Sequence, residues 1–339
     1  MPDGVHTRRA VLAVLGAAVL FGTTGTAQAL GPSGTTPLGV GAARIVIGGA
    51  GLLAVLPLVG GRRGDAVALW RTRWGLLAGV TTAMYQVCFF AAVSRAGVAL
   101  GTLVTIGSGP VIAGLLSWVL LKDRPRLSWV VATSVCVVGL ALLIGSGASQ
   151  PSVDPWGLVL ALASSAGYAL YTVAAKRLMN SGHRSDEVMA AAFGLGGILL
   201  LPVLLTQPLA WLATGSGVAM ALWLGLATTT LAYVLFGRGL RHLPAGPVTT
   251  LVLAEPVVAT VLGVVVLGEN LAPLGWVGAV LVLAGLALQG VASTRSTRRS
   301  TRDLGRVAAT GRGKQSHDQD HAESGSGVGD RLAGGESSP

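Results

Sequence analysis

The stretch PVTTLVLAEPVVATVLGVVVL, residues 247–267, decides how the rest of the chain is read. It carries a single charge, Glu255, followed directly by Pro256. About 20 mostly apolar residues suffice for a helix to cross a bilayer. A charge at the centre of such a helix costs about 2.5–3.5 kcal/mol on insertion scales. Glu255 is therefore expected to face a wet cavity, a partner or a bound proton. Proline lacks the N–H that would bond the carbonyl four residues back. Pro256 thus frees the carbonyl of Val252 and predicts a kink at the depth of the charge.

Outward from this segment, nine further stretches meet the same criterion: 10–30, 37–60, 75–94, 98–121, 127–146, 156–175, 187–206, 218–237 and 271–291. The composition agrees. Charged residues make up 11% of the 339 and apolar residues 52%, where an ordinary soluble domain carries about 25% charged. Such a chain cannot clothe a water-facing surface in polar groups, which argues against a soluble enzyme and against a disordered protein. Cys88 and Cys136 lie in separate apolar runs and read as packing residues, with neither disulfide nor metal spacing.

The net charge of +10 raises nucleic acid as a partner, but that requires a basic patch on a folded surface. Here the cations fall in short clusters between apolar runs. With the N-terminus inside and the loops alternating, 22 of the 24 Lys and Arg lie inside. Arg95 falls in an outside loop and Arg44 within the second span. The bias predicts both termini in the cytoplasm and leaves no need for nucleic acid. Residues 292–339, rich in Ser, Gly, Arg and Asp, read as a disordered basic cytoplasmic tail.

The sequence repeats. At an offset of 146, Pro110-Val111 falls on Pro256-Val257 and Gly139-Leu140-Ala141-Leu142 on Gly285-Leu286-Ala287-Leu288. Gly79, Thr82 and Phe90 fall on Gly225, Thr228 and Phe236. Offsets of 147 and 148 match the first and second spans to the sixth and seventh, with Gly48-Gly49 on Gly196-Gly197. The unit is five helices, an odd number, so the second copy enters the membrane from the opposite side. The expected fold is an all-α membrane protein of ten transmembrane helices in two inverted five-helix repeats, 1–146 and 147–291. Inverted repeats are a transporter architecture, with the binding site near the midplane between the halves.

Pro110 sits mid-span in the first half as Pro256 does in the second, and matched interruptions of this kind point to a binding site. Gly107 and Gly109 loosen the fourth span further. Arg44, the other intramembrane charge, could snorkel to the interface, pair with Glu255 or bind a substrate carboxylate. Ser164, Tyr168 and Tyr171 share one face of the sixth span. Tyr85 and Gln86 lie in the third, and Thr229 and Tyr233 in the eighth. These hydroxyls can line a cavity or glue helices together. A tyrosine–threonine cavity with one acid and one Arg suits a small amphipathic metabolite. No metal or cofactor site is expected. The segment at Gly313-Lys314 is no P-loop, and neither HExxH nor GxSxG occurs. Energy would have to come from an ion or substrate gradient, with protons as the candidate ion. The five histidines, 6, 183, 242, 317 and 321, read as loop or tail residues.

The segments AEPVVATVLGVVVLGENL at 254–271, PVIAGLLSWVLLKDRP at 110–125 and GYALYTVAAKRL at 167–178 resemble the EamA domains of the drug/metabolite transporter superfamily. The likeness spans about residues 10–291. It departs at Lys122-Asp123, where such domains carry Gly-Glu. The resemblance implies secondary transport of small metabolites, often efflux of amino acids or related compounds. The Arg-heavy, Lys-poor usage, 21 against 3, points to a GC-rich bacterium and hence to the plasma membrane. It leaves the oligomeric state and the substrate open. The expected function is export of an amino-acid-like or amphipathic compound by alternating access. Import of a small organic solute, and a non-transporting scaffold or sensor, are the alternatives.

Overall fold

A computed structural model gives the fold and describes residues 2–145, 154–268 and 270–292. Among these residues ten helices are long and apolar enough to cross a membrane. They are α1 (Val5–Ala29), α2 (Pro37–Val59), α3 (Arg73–Ala96), α4 (Leu100–Leu121) and α5 (Leu127–Gly145) in the first half. The second half holds α6 (Pro155–Asn180), α7 (Ser185–Leu205), α8 (Gly215–His242), α9 (Ala245–Leu267) and α10 (Pro273–Ala292). Most of the expected tail lies outside the described residues. His6 and His242 fall in the terminal turns of α1 and α8 rather than in loops, and their rings stack at 6.1 Å. A short helix, Arg63–Leu69, precedes α3 and was not signalled by an apolar run.

Local chemistry sets the helix starts. Thr36, Thr72, Asp154 and Thr214 each accept a hydrogen bond from a first-turn backbone N–H, the last at 3.0 Å from Gly217. Such caps replace intrahelical partners that the first turn lacks. Pro37 and Pro155 follow two of them, where the missing N–H does no harm.

The helix ends reveal the repeat in three dimensions. Lys122 closes α4 at φ 61° and Gly268 closes α9 at φ 70°. The N–H of Lys122 reaches Ser117 O, and that of Gly268 reaches Gly263 O. Each pair is offset by 146. Only the second half carries the residue that this left-handed turn favours. An ordinary side chain there costs about 1–2 kcal/mol. Lys122→Gly is therefore expected to stabilise the protein by about 1 kcal/mol, since added freedom in the unfolded chain offsets part of the gain. A raised melting midpoint in detergent would show it.

Two helix crossings fix how the halves are related. A Cβ on Gly139 of α5 would stand 2.7 Å from both Gly278 O and Val282 N of α10. A Cβ on Gly285 of α10 would stand 2.8 Å from Ala132 O and 3.0 Å from Cys136 N of α5. At the offset of 146 the second contact is the first with the halves exchanged, atom for atom. The same holds for α2 and α7 at an offset of 148. There Gly49 meets Phe193 O, and Gly197 would place a Cβ 3.1 Å from Ile45 O. In both crossings rising numbers on one helix meet falling numbers on the other. The paired helices are antiparallel, and a pseudo-two-fold axis passes between them. The two repeats are thus inverted.

Packing between the halves is uneven along the bundle. Ala10, Val14, Ala17 and Ala18 of α1 are buried with Phe236, Leu240, Ala245 and Val248 of α8 and α9. Gly239 lies against Val14 and the carbonyl of Ala10. This closes the bundle at the end where α1 begins. Farther along α1, Gly22 approaches Val258 and the carbonyl of Glu255. Beyond that point α1 is only part-buried.

Candidate functional site

The chain has four tyrosines, and all four meet between the halves. Tyr85 of α3 and Tyr233 of α8 bring their hydroxyls to 3.4 Å. Tyr168 and Tyr171 of α6 stand edge to face at 5.2 Å, and Tyr171 lies 5.8 Å from Tyr85. Phe193 packs on Tyr233 at 3.8 Å between ring centroids, and Phe21 approaches the same ring at 5.0 Å. The wall therefore draws on α1, α3, α6, α7 and α8. The i, i+3 spacing of Tyr168 and Tyr171 already placed them on one helix face. Phe193 carried no comparable signal.

Arg44 reaches into this cluster. Tyr85, Tyr233 and Glu255 all lie within electrostatic range of its guanidinium. It does not snorkel to an interface. Nor does it pair with Glu255: among the described residues neither forms an ion pair within 4.0 Å. Both side chains keep partial exposure, whereas Tyr171 is 0% and Tyr233 2% exposed. Arg44 Nε, Tyr168 Oη, Tyr171 Oη and Thr24 Oγ1 are buried with no hydrogen-bond partner. Buried polar atoms are nearly always partnered, and exceptions call for a ligand or water. The site thus offers opposite charges at one depth, with unpaired hydroxyls beside them.

Two expected lining residues are engaged elsewhere. Gln86 Nε2 donates to Gly41 O at 3.2 Å and ties α3 to α2. Thr229 Oγ1 donates to Leu224 O at 2.8 Å within α8. Other polar stripes also serve as ties: Ser164 Oγ donates to Tyr85 O, Thr105 Oγ1 to Ala161 O, and Ser108 Oγ to Ser165 Oγ.

Thr229 belongs to a feature that sequence reasoning missed. Trp223–Leu231 within α8 is π-helical. Thr229 and Thr230 bond carbonyls five residues back, Leu224 O and Gly225 O. A wide turn inserts one residue and rotates the rest of the helix by roughly 100°. The register slips accordingly. Gly196 of α7 faces Thr82 of α3, but its counterpart Gly48 of α2 faces Thr229, one past the residue matching Thr82. Tyr233 lies just beyond. Such turns are frequent at functional sites. The run Thr228-Thr229-Thr230 was the available signal, because each hydroxyl can satisfy a carbonyl that a wide turn strands.

The prolines behave differently in the two halves. α9 is interrupted at Leu253, three residues before Pro256, and resumes at Ala254. Glu255 thus lies in the first turn of a half-helix, at the depth of the tyrosines. α4 continues as a helix through Pro110.

Ten membrane-crossing helices in two inverted halves around a buried charged site define a membrane protein of the transporter class. Comparison with known proteins gives the family. Residues 8–145 and 155–290 match the EamA-like transporter family. The chain is 42% identical to an uncharacterized transporter, YwfM, of Bacillus subtilis, over 81% of this chain and 91% of that one. It is 27% identical to the threonine/homoserine exporter RhtA of Escherichia coli, over 69% of this chain and 77% of that one. A crystal structure 23% identical in sequence superposes with a TM-score of 0.72, covering 84% of this chain and 98% of its own. The chain belongs to the EamA-like transporter family, within the drug/metabolite transporters. It is a multi-pass plasma-membrane transporter of a small molecule rather than an enzyme.

Proposed function

We propose that the protein exports small amino-acid-like zwitterions by alternating access, with both termini in the cytoplasm. The observation that carries this reading is the unpaired couple of Arg44 and Glu255 beside the tyrosine cluster. A substrate carboxylate would take Arg44, and a substrate ammonium Glu255. The tyrosine hydroxyls without partners would receive its remaining polar atoms. RhtA, named for threonine and homoserine export, supports the cargo class. The inside bias of Lys and Arg supports the sidedness.

The halves, residues 1–146 and 147–291, supply the two states. Because they are inverted copies, exchanging their conformations opens the site to the other side. Glu255 also offers a coupling route. When the ammonium leaves, a proton can take its place, so substrate and proton compete for one carboxylate. Export would then be driven by protons moving inward down their gradient.

Counterflow in liposomes tests the proposal. Vesicles containing the protein and loaded with threonine or homoserine should accumulate labelled substrate faster than empty vesicles, and a pH gradient should bias the exchange. A broad panel of amino acids moving at the rate of protein-free vesicles would refute it.

A further inference from the structure

Away from the tyrosines, a pocket of about 570 Å³ opens at the end of the bundle where α1 begins. Its walls are the α4–α5 turn, the α8–α9 turn and the last turn of α10. Three cations, Lys122, Arg124 and Arg126, line it beside the imidazole of His242, against one carboxylate among the described residues, Asp123. Asp123 is held by Ser117, whose hydroxyl donates to it at 3.3 Å. Trp129 forms a rigid wall because its Nε1 donates to Thr250 Oγ1 at 3.1 Å. The field inside is therefore positive and its shape is fixed.

Neither Lys122 nor Arg124 has an ion pair within 4.0 Å among the described residues, and both are exposed. The charges sit at helix ends, the level of lipid headgroups. Beside the pocket, Val130 and Val131 of α5 and Leu288 and Val291 of α10 remain exposed and apolar. An acyl chain could lie along these faces while its headgroup enters the pocket. Basic pockets between spanning helices at this level bind phosphate headgroups. The volume lies within the roughly 300–1,000 Å³ typical of ligand pockets.

We propose that this pocket binds phosphate, carried either on the headgroup of an anionic phospholipid or on a soluble phosphate ester. The flanking apolar faces favour the lipid. The site is separate from the substrate site and does not depend on what the protein transports.

The test uses the full chain in detergent with equal amounts of phosphatidylglycerol and phosphatidylcholine, read by native mass spectrometry. The anionic lipid should be retained about tenfold over the zwitterionic one. Each cation near the surface contributes about 1 kcal/mol to such binding, so Lys122→Gln with Arg124→Gln should erase the preference. Asp123→Asn should strengthen it, which keeps the field testable without removing a cation. Inorganic phosphate and glycerol 3-phosphate form the second arm. If they raise the melting midpoint and displace the lipid, the soluble ester is the ligand. If the lipid binds and they do neither, the lipid is. Equal retention of both lipids together with no response to phosphate overturns the site, as does a double variant that binds like the unaltered protein.

Discussion

Arg44→Gln and Glu255→Gln are each expected to cut substrate exchange in proteoliposomes at least tenfold while leaving a folded protein. Neither charge has an ion-pair partner within 4.0 Å among the described residues, so removing one leaves no broken salt bridge behind. A hydrogen bond to a charged group is worth about 1.5–3 kcal/mol. Losing one end of a desolvated charge contact costs about 2–5 kcal/mol. Exchange should therefore fall by at least tenfold, and by far more where binding limits the rate. A purely structural role makes the opposite forecast. The single variants would then lose stability, and the double variant would recover it, because a buried charge is most costly when its opposite is missing. Melting midpoints of the three variants separate the cases. Glu255→Gln also tests the coupling: whatever exchange survives should no longer respond to a pH gradient. Undiminished exchange with the usual pH response in that variant would remove Glu255 from the mechanism.

The fold was legible in the sequence because lipid imposes a simple rule. Every span had to be long, apolar and helical, and ten were found. Their ends were harder to place. α8 was expected over 218–237 but runs from Gly215 to His242, since Arg238 and Arg241 extend the helix beyond its apolar part. Long cationic side chains can do so by reaching toward the interface. The repeat was visible as a numerical offset, and the glycine crossings gave it a geometry. The members of the candidate site could be named residue by residue: Arg44, Glu255 and the four tyrosines were all singled out as candidates. That they meet could not be read, because the meeting depends on how the two halves cross. Gln86 and Thr229 show the limit from the other side. Their polarity marked them, yet backbone carbonyls engage it. The π-helical stretch was hidden because one added residue leaves a span just as long and as apolar. Matched prolines likewise produced one interruption rather than two. A proline removes one hydrogen bond, and its neighbours decide whether the helix breaks.

Gly139→Leu is expected to prevent stable folding, and Gly139→Ala to destabilise the protein by about 2 kcal/mol. Apolar surfaces gain little by associating inside lipid, so helices there hold together through close backbone approach and packing. At the α5–α10 crossing two of the three atoms nearest a Cβ on Gly139, Gly278 O and Val282 N, belong to the backbone, and the third, Leu281 Cβ, is fixed to it. No side-chain rotation can make room for a Cβ placed 2.7 Å away. The helices must separate, and that disturbs the equivalent contact of Gly285 on Ala132 and Cys136. Symmetry therefore couples the two sites: Gly285→Ala should cost a similar amount, and the two alanines together should cost less than their sum, because the first has already parted the helices. Gly25→Ala is the control. Nothing lies within 4 Å of a Cβ there, and alanine is the better helix former by about 1 kcal/mol, so this variant should melt no lower than the parent. Melting curves in detergent decide the matter. A Gly139→Leu protein that folds in normal yield and melts with the parent would mean that α5 and α10 do not cross as described.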